Sequence, residues 1–178
     1  MKRVVVIFGL ISGLISSAMM FLTLPLFRRG IIGNDNAEVI GYTSILLSLL
    51  LVFFGIRSYR ESHGGGTISF GRGLAVGMLI TLISCAFYVA SWEVIYFNFM
   101  PDFVDNYAKY TGEKMRASGA SDAAVAAKVN EVRKMKPLYD NPLTNAALTF
   151  LEPFPVGLII TLISAALLRK RGPATALA

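Results

Sequence analysis

Chemistry-bearing side chains are scarce in this chain. It has one cysteine, Cys85, and one histidine, His63. A single cysteine closes no intramolecular disulfide, and with one histidine it completes no zinc site of the usual spacing. Cys85 lies inside an apolar run, where burial makes it an inert packing residue. Charged residues make up 16% of the chain, against about 25% in soluble domains. Four long apolar runs carry no ionisable side chain in their central portions. A proton-coupled pump or a small multidrug transporter needs a mid-helix carboxylate, so this absence argues against both. There is no HExxH for an intramembrane metal protease and no GxxxxGK[ST] for a phosphate-cradling loop. No cofactor or metal is expected, and no enzymatic activity.

What the chain has in quantity is apolar residues, 54% of 178. The first run, residues 4–27, follows a basic head, Lys2-Arg3. A signal peptide competes here, with Ser16-Ser17-Ala18 as a cleavage-like site, but the run continues well past Ala18 and favours an uncleaved helix. Pro25 falls near its end, where a missing hydrogen bond costs little. Residues 28–38 are a polar loop rich in turn formers. The further runs are 39–56, 73–97 and 148–168. Each is long enough to cross a bilayer core of about 30 Å. Aromatic residues crowd the far end of the third, as at a membrane–water interface. The expected fold is an all-α, four-helix transmembrane bundle forming one integral membrane domain over residues 1–178. An extramembrane helical hairpin in the polar segment 101–145 separates the third and fourth spans.

Within that segment, residues 104–117 and 121–135 read as two short helices broken at Ser118-Gly119. Ser121 is an N-cap candidate and Pro137 a stop. Val125, Val129, Val132 and Met135 form an amphipathic stripe. The stripe serves packing on the bundle's outer end or, in a second reading, a partner or the membrane surface.

The net charge of +6 does not call for nucleic acid, since no basic, aromatic-studded face is visible. Cytoplasmic loops collect Lys and Arg. Lys2, Arg3, Arg57, Arg60, Arg72, Arg169, Lys170 and Arg171 fall on one side of the four runs, with only Arg28 and Arg29 close to the other. Both termini are therefore expected in the cytoplasm. Arg57, Arg60 and Arg72 would meet anionic headgroups.

Two stretches nearly repeat: residues 76–86, VGMLITLISCA, and 156–166, VGLIITLISAA, agree at eight of eleven positions. Residues 8–18, FGLISGLISSA, share seven with the second. Low-complexity apolar sequence also produces such matches by chance. All three put small residues at helical spacing: Gly9, Gly13 and Ser16; Gly73, Gly77, Thr81 and Ser84; Gly157, Thr161 and Ser164. Small residues let helices approach closely in lipid, and hydroxyls bond across them or back to the backbone. The first, third and fourth helices should form the tight centre. The same face could instead seat a second copy of the chain.

The ionisable residues nearest to membrane depth are Glu93, about 30 Å from Gly73, and Glu152, about 24 Å from Leu168 along their helices. With Arg28 and Arg29 they mark the outer interface, as anchors, as an Arg–Glu pair or as a small outward-facing site. Glu152-Pro153-Phe154-Pro155 reads as a kinked helix start.

Residues 55–77, between the second and third runs, carry one more signal. Phe54-Gly55-Ile56-Arg57-Ser58-Tyr59-Arg60, then Gly65-Gly66-Thr67-Ile68-Ser69-Phe70-Gly71, then Gly73 and Gly77, resemble the signature of the bacterial domain-of-unknown-function 4199 family. Val156-Gly157-Leu158-Ile159-Ile160 before a basic end also fits. The resemblance covers nearly the whole chain and implies a small bacterial inner-membrane protein with four spans. It brings no activity and no site. Two functional classes stay open: a non-catalytic bundle that interacts with lipid or a membrane protein partner, and a subunit of a small oligomeric transporter or channel working near Glu93 and Glu152.

Overall fold

A computed structural model describes residues 1–170. Arg171, the last of the basic residues above, lies outside them. Among the described residues the named elements are all α-helices: α1 (Lys2–Arg28), α2 (Asn34–Leu49), α3 (Leu51–His63), α4 (Phe70–Phe99), α5 (Phe103–Ala117), α6 (Asp122–Arg133), α7 (Lys136–Asp140), α8 (Pro142–Phe150) and α9 (Pro153–Leu168). Four helical stretches are long and apolar enough to span a membrane: Lys2–Arg28, Asp35–His63, Phe70–Phe99 and Pro142–Leu168. At about 1.5 Å per residue they measure roughly 40–45 Å, more than a hydrocarbon core of about 30 Å. Their ends therefore project into the headgroup region.

Two of these stretches are jointed, for different reasons. Leu50, between α2 and α3, keeps helical dihedrals. Phe53 N–H bonds Leu50 O at 3.1 Å, so the joint is a 3₁₀-type tightening. It lies where the Ser48 carbonyl accepts the Ser12 hydroxyl, at 2.7 Å. Between α8 and α9 the cause is proline. Pro153 and Pro155 remove two N–H donors from a single turn, and the helix breaks at Leu151-Glu152. The helix before that break starts at Pro142, so the fourth apolar stretch begins six residues ahead of the expected 148.

The chain divides into two compact units, Met1–Val89 with residues 150–170, and Ala90–Thr149. In the first, small residues make the helix contacts. A Cβ on Gly9 would meet Ile83 at 2.9 Å, and one on Gly13 would meet Phe87 at 2.7 Å, which seats α1 parallel to α4. Gly73 faces Ala165, Gly77 faces Thr161 and Gly157 faces Thr81, so α4 and α9 run antiparallel. The two near-repeats therefore meet reciprocally: Gly77 corresponds to Gly157 and Thr81 to Thr161. Their hydroxyls bond at the centre, Thr81 Oγ1 to Thr161 Oγ1 at 3.1 Å. The second span is as central as the others, contrary to expectation. Gly55 packs on Ile80 and Phe8, and Val52 and Ile56 are fully buried against Gly77. Leucines, isoleucines and phenylalanines such as Leu14, Leu22, Leu47, Phe54, Ile163 and Leu167 are exposed instead. A surface of large apolar side chains around a hydroxyl-bonded interior is what lipid selects.

In the second unit the packing is of the aqueous kind. The stripe Val125, Val129 and Val132 on α6 faces inward, and Val129 fits over Gly112 of α5. Burying a valine from water is worth about 1.5–3 kcal/mol. Ser121 caps α6 by accepting Ala124 N–H at 3.3 Å. Gly119, at φ +83°, closes α5 with Gly119 N–H on Arg116 O and Ala120 N–H on Met115 O, a Schellman turn that favours glycine. The expected end of the second helix needs correction. α6 stops at Arg133, and Pro137 opens the short helix α7, where its missing N–H has no intrahelical partner to lose. Met135 thereby leaves the stripe and is exposed.

Candidate functional site

Three places combine polar side chains with space or burial. The first is the end of the first unit where α1 begins and α9 finishes. Val5, Ile56, Ile68, Val76 and Leu168 share one core cluster there. Ile68 and Lys170 exchange both backbone hydrogen bonds, at 2.9 and 3.0 Å, and tie the α3–α4 loop to the end of α9. Lys2, Arg3, Arg57, Arg60, Arg72, Arg169 and Lys170 thus share this end with one acid, Glu61. Glu61 sits between two of them: Arg57 Nε reaches it at 2.9 Å and Arg60 Nη2 at 3.5 Å. Arg60 Nη1 also bonds Leu168 O, at 3.4 Å, the carbonyl end of α9.

A cavity of about 390 Å³ opens at the same end. Tyr59 and His63, stacked 5.0 Å apart, form one wall with the last turn of α3. The loop supplies Thr67 and Ser69, the first turn of α4 supplies Arg72, and the α9 end supplies Lys170. Gly65 and Gly66, at φ +55° and +82°, make the reversal that brings these walls together. Ser69 Oγ accepts Arg72 N–H at 3.3 Å, and Ser69 O accepts Gly73 N–H. In keeping with the missing nucleotide-loop motif, no strand precedes these glycines among the described residues.

The second place is at the other end of that unit. Tyr88 hydroxyl donates to Glu152 Oε2 at 2.7 Å, beside the break before Pro153. Arg28 closes α1 and Arg29 caps it. Among the described residues no ion pair joins either arginine to Glu152. A cavity of about 150 Å³ lined by Ser16, Thr23, Ser44, Tyr88 and two methionines lies between α1, α2 and α4.

The third place is in the second unit, which holds Glu93. Glu93 is half-buried, and its Oε1 has no hydrogen bond among the described residues. Close by in sequence, Trp92 Nε1–H donates to Asn145 Oδ1 at 3.1 Å, and Asn145 Nδ2 donates to Tyr139 O at 2.9 Å. Tyr96 hydroxyl donates to Asp140 Oδ1 at 2.8 Å, with Lys136 Nζ on the same oxygen at 3.2 Å. That tyrosine bond, helped by Lys136, holds the Asp140 carboxyl below its usual range. A carboxyl with a lowered folded pKa stabilises the fold fully above its unfolded value of about 3.9, and loses that contribution as pH falls through the lower folded value. Proteolytic resistance of the 101–141 segment should therefore fall as pH drops below about 4, and Asp140→Asn should flatten that fall.

The sequence pointed to Arg57, Arg60 and Arg72 and to the glutamates. It gave no sign of Lys170 beside Arg72, or of Asn145 as the polar centre of the second unit. Both depend on pairings between distant segments. Among the described residues no group of three His, Cys, Asp or Glu side chains is placed to hold a metal.

Compared with known proteins, residues 7–170 match the model of a family described as "Protein of unknown function (DUF4199)". No curated protein and no solved structure matches the chain.

Proposed function

The chain belongs to the DUF4199 family, whose description names no activity, and we propose from its residues that it is a non-catalytic interaction bundle of a bacterial inner membrane. The observation that carries this reading is the nature of its buried polar groups. Among the described residues those groups are serines, threonines and Asn145, beside the thiol of Cys85 and the phenol of Tyr96, and no Asp, Glu, Lys, Arg or His side chain is buried with them. In the first unit the hydroxyls bond one another or nearby carbonyls, as Ser12 does with Ser84 at 2.9 Å and Ser16 with Gly13 O. Such an interior holds helices together and offers no proton or ion relay.

The end with seven Lys and Arg against one Glu supports a cytoplasmic placement of both termini and contact with anionic headgroups there. Segment 101–145 then faces outward. Reporter fusions test this: fluorescent-protein fusions at residue 1 and residue 170 should fluoresce, and alkaline phosphatase inserted at 118–119 should be active. The reverse pattern would sink the orientation.

The alternative, a subunit of an oligomeric transporter or channel, draws on the cavity near Tyr88 and on the unpartnered Glu93 oxygen. Under the bundle reading, Glu93→Gln and Glu152→Gln leave expression, growth and reconstituted flux unchanged. Loss of flux with normal expression would favour the transporter.

A further inference from the structure

The cavity walled by Arg72 and Lys170 differs from the rest of the basic end in three ways. First, it is a built concavity. Its walls come from α3, the α3–α4 loop, the start of α4 and the end of α9, and the paired backbones of Ile68 and Lys170 fix them. Its volume, about 390 Å³, lies within the roughly 300–1,000 Å³ common for small-ligand sites. Second, its cations are unneutralised. Glu61 draws Arg57 and Arg60, but among the described residues Arg72 and Lys170 have no carboxylate within ion-pair distance. Third, the hydroxyl-bearing side chains of Tyr59 and Ser69 line it and can act as donors. The first N–H groups of a helix lack intrahelical partners. In α4, Arg72 N–H goes to Ser69 Oγ and Gly73 N–H to Ser69 O. Ser69, which lines the cavity, therefore caps the start of α4 on that side.

We infer that this cavity binds a phosphoryl group, carried by an anionic lipid headgroup or by a free phosphate. Arg72 and Lys170 supply the charge, and the hydroxyls of Tyr59 and Ser69 in the lining can donate to phosphoryl oxygens. The inference deepens the reading of this end as the headgroup-facing one and rests on it. It adds a discrete site where that reading requires only diffuse attraction.

The test compares two charge-matched double variants of the full chain in dodecyl maltoside. Arg72→Gln/Lys170→Gln removes two charges at the cavity, and Lys2→Gln/Arg3→Gln removes two at the same end outside it. All four positions are exposed, so folding should survive, and equal melting without ligand verifies this. Probes are sodium orthophosphate and dioctanoyl phosphatidic acid at constant ionic strength, with zwitterionic dioctanoyl phosphatidylcholine as control. Wild type should saturate with phosphatidic acid or orthophosphate and not with phosphatidylcholine. The cavity variant should bind about tenfold more weakly or worse, the outer variant within about twofold of wild type, and Arg72→Lys/Lys170→Arg should retain most binding. Competition by orthophosphate identifies a free phosphoryl group as sufficient, whereas saturation by the lipid alone identifies the headgroup as the source. Equal loss in both double variants overturns the site and leaves general attraction standing. No saturable binding by wild type overturns the site, while the headgroup-facing reading of this end stands or falls with the reporter fusions.

Discussion

Gly157→Ala should lower the apparent melting temperature of the detergent-solubilised protein by about 3–10 °C, and Gly77→Ala by a similar amount. Two effects oppose each other at both positions. Alanine is a better helix former than glycine, worth up to about 1 kcal/mol. Against this, the new methyl enters occupied space. At Gly77 it meets Thr161 Cγ2 at 2.7 Å, Ile56 Cδ1 at 2.8 Å and Val52 Cγ1 at 3.1 Å. At Gly157 it collides with the methyl of Thr81. Thr81 can move that methyl only by turning χ1, which carries its hydroxyl away from Thr161. Overpacking of this kind costs about 1–3 kcal/mol, so the clash wins. Gly41 is the control: nothing lies within 4 Å of its would-be Cβ, and Gly41→Ala should be neutral or slightly stabilising.

The reciprocal geometry makes the prediction sharper, because the two sites differ in how they can be rescued. Thr81→Ser removes the offending methyl and keeps the hydroxyl, so Gly157→Ala/Thr81→Ser should recover most of the lost stability. Thr161→Ser should rescue Gly77→Ala only in part, since Ile56 and Val52 still crowd the methyl. If Gly157→Ala alone melts like wild type, the close approach of α4 and α9 is wrong.

These glycines were legible in the sequence for a physical reason. Lipid gives apolar side chains no incentive to bury, so small residues at four-residue spacing stand out as contact faces. The four apolar stretches were legible for the same reason, since a bilayer demands long uncharged runs. Gly55 was not read as a contact because it borders the polar hairpin, yet it packs on Ile80 and Phe8. The helix limits at Arg133 and Pro142 were missed because proline marks a start as readily as a stop. The site at the basic end was half-legible. Arg72 was visible as a headgroup residue, but Lys170 joins it only through the backbone pairing with Ile68, and no local pattern announces a contact over that distance.

Asn145 was hidden for a different reason, and it carries the second large effect. A lone asparagine at the edge of an apolar run looks like a solvated loop residue, but here it is fully buried. Its Oδ1 accepts Trp92 Nε1–H and the Thr149 hydroxyl, each at 3.1 Å, while Nδ2 donates to Tyr139 O at 2.9 Å. One carboxamide therefore ties α4 to the α7–α8 region within the second unit. Asn145→Leu fills a similar volume and removes all three bonds. Each bond is worth about 1 kcal/mol net, and a buried donor left unmatched costs about 1–3 kcal/mol. A loss of about 2–4 kcal/mol is expected, and even 2 kcal/mol is about thirtyfold in the opened population. Proteolysis within residues 101–141 should accelerate by at least that factor when opening precedes cleavage. The emission of the sole tryptophan, Trp92, should shift in the same variant, because its indole N–H loses this acceptor. Asn145→Asp keeps an acceptor for Trp92 but no donor for Tyr139, so it should preserve more of the emission than Asn145→Leu while still opening faster than wild type. Unchanged emission and proteolysis in Asn145→Leu would show that apolar packing alone holds the unit.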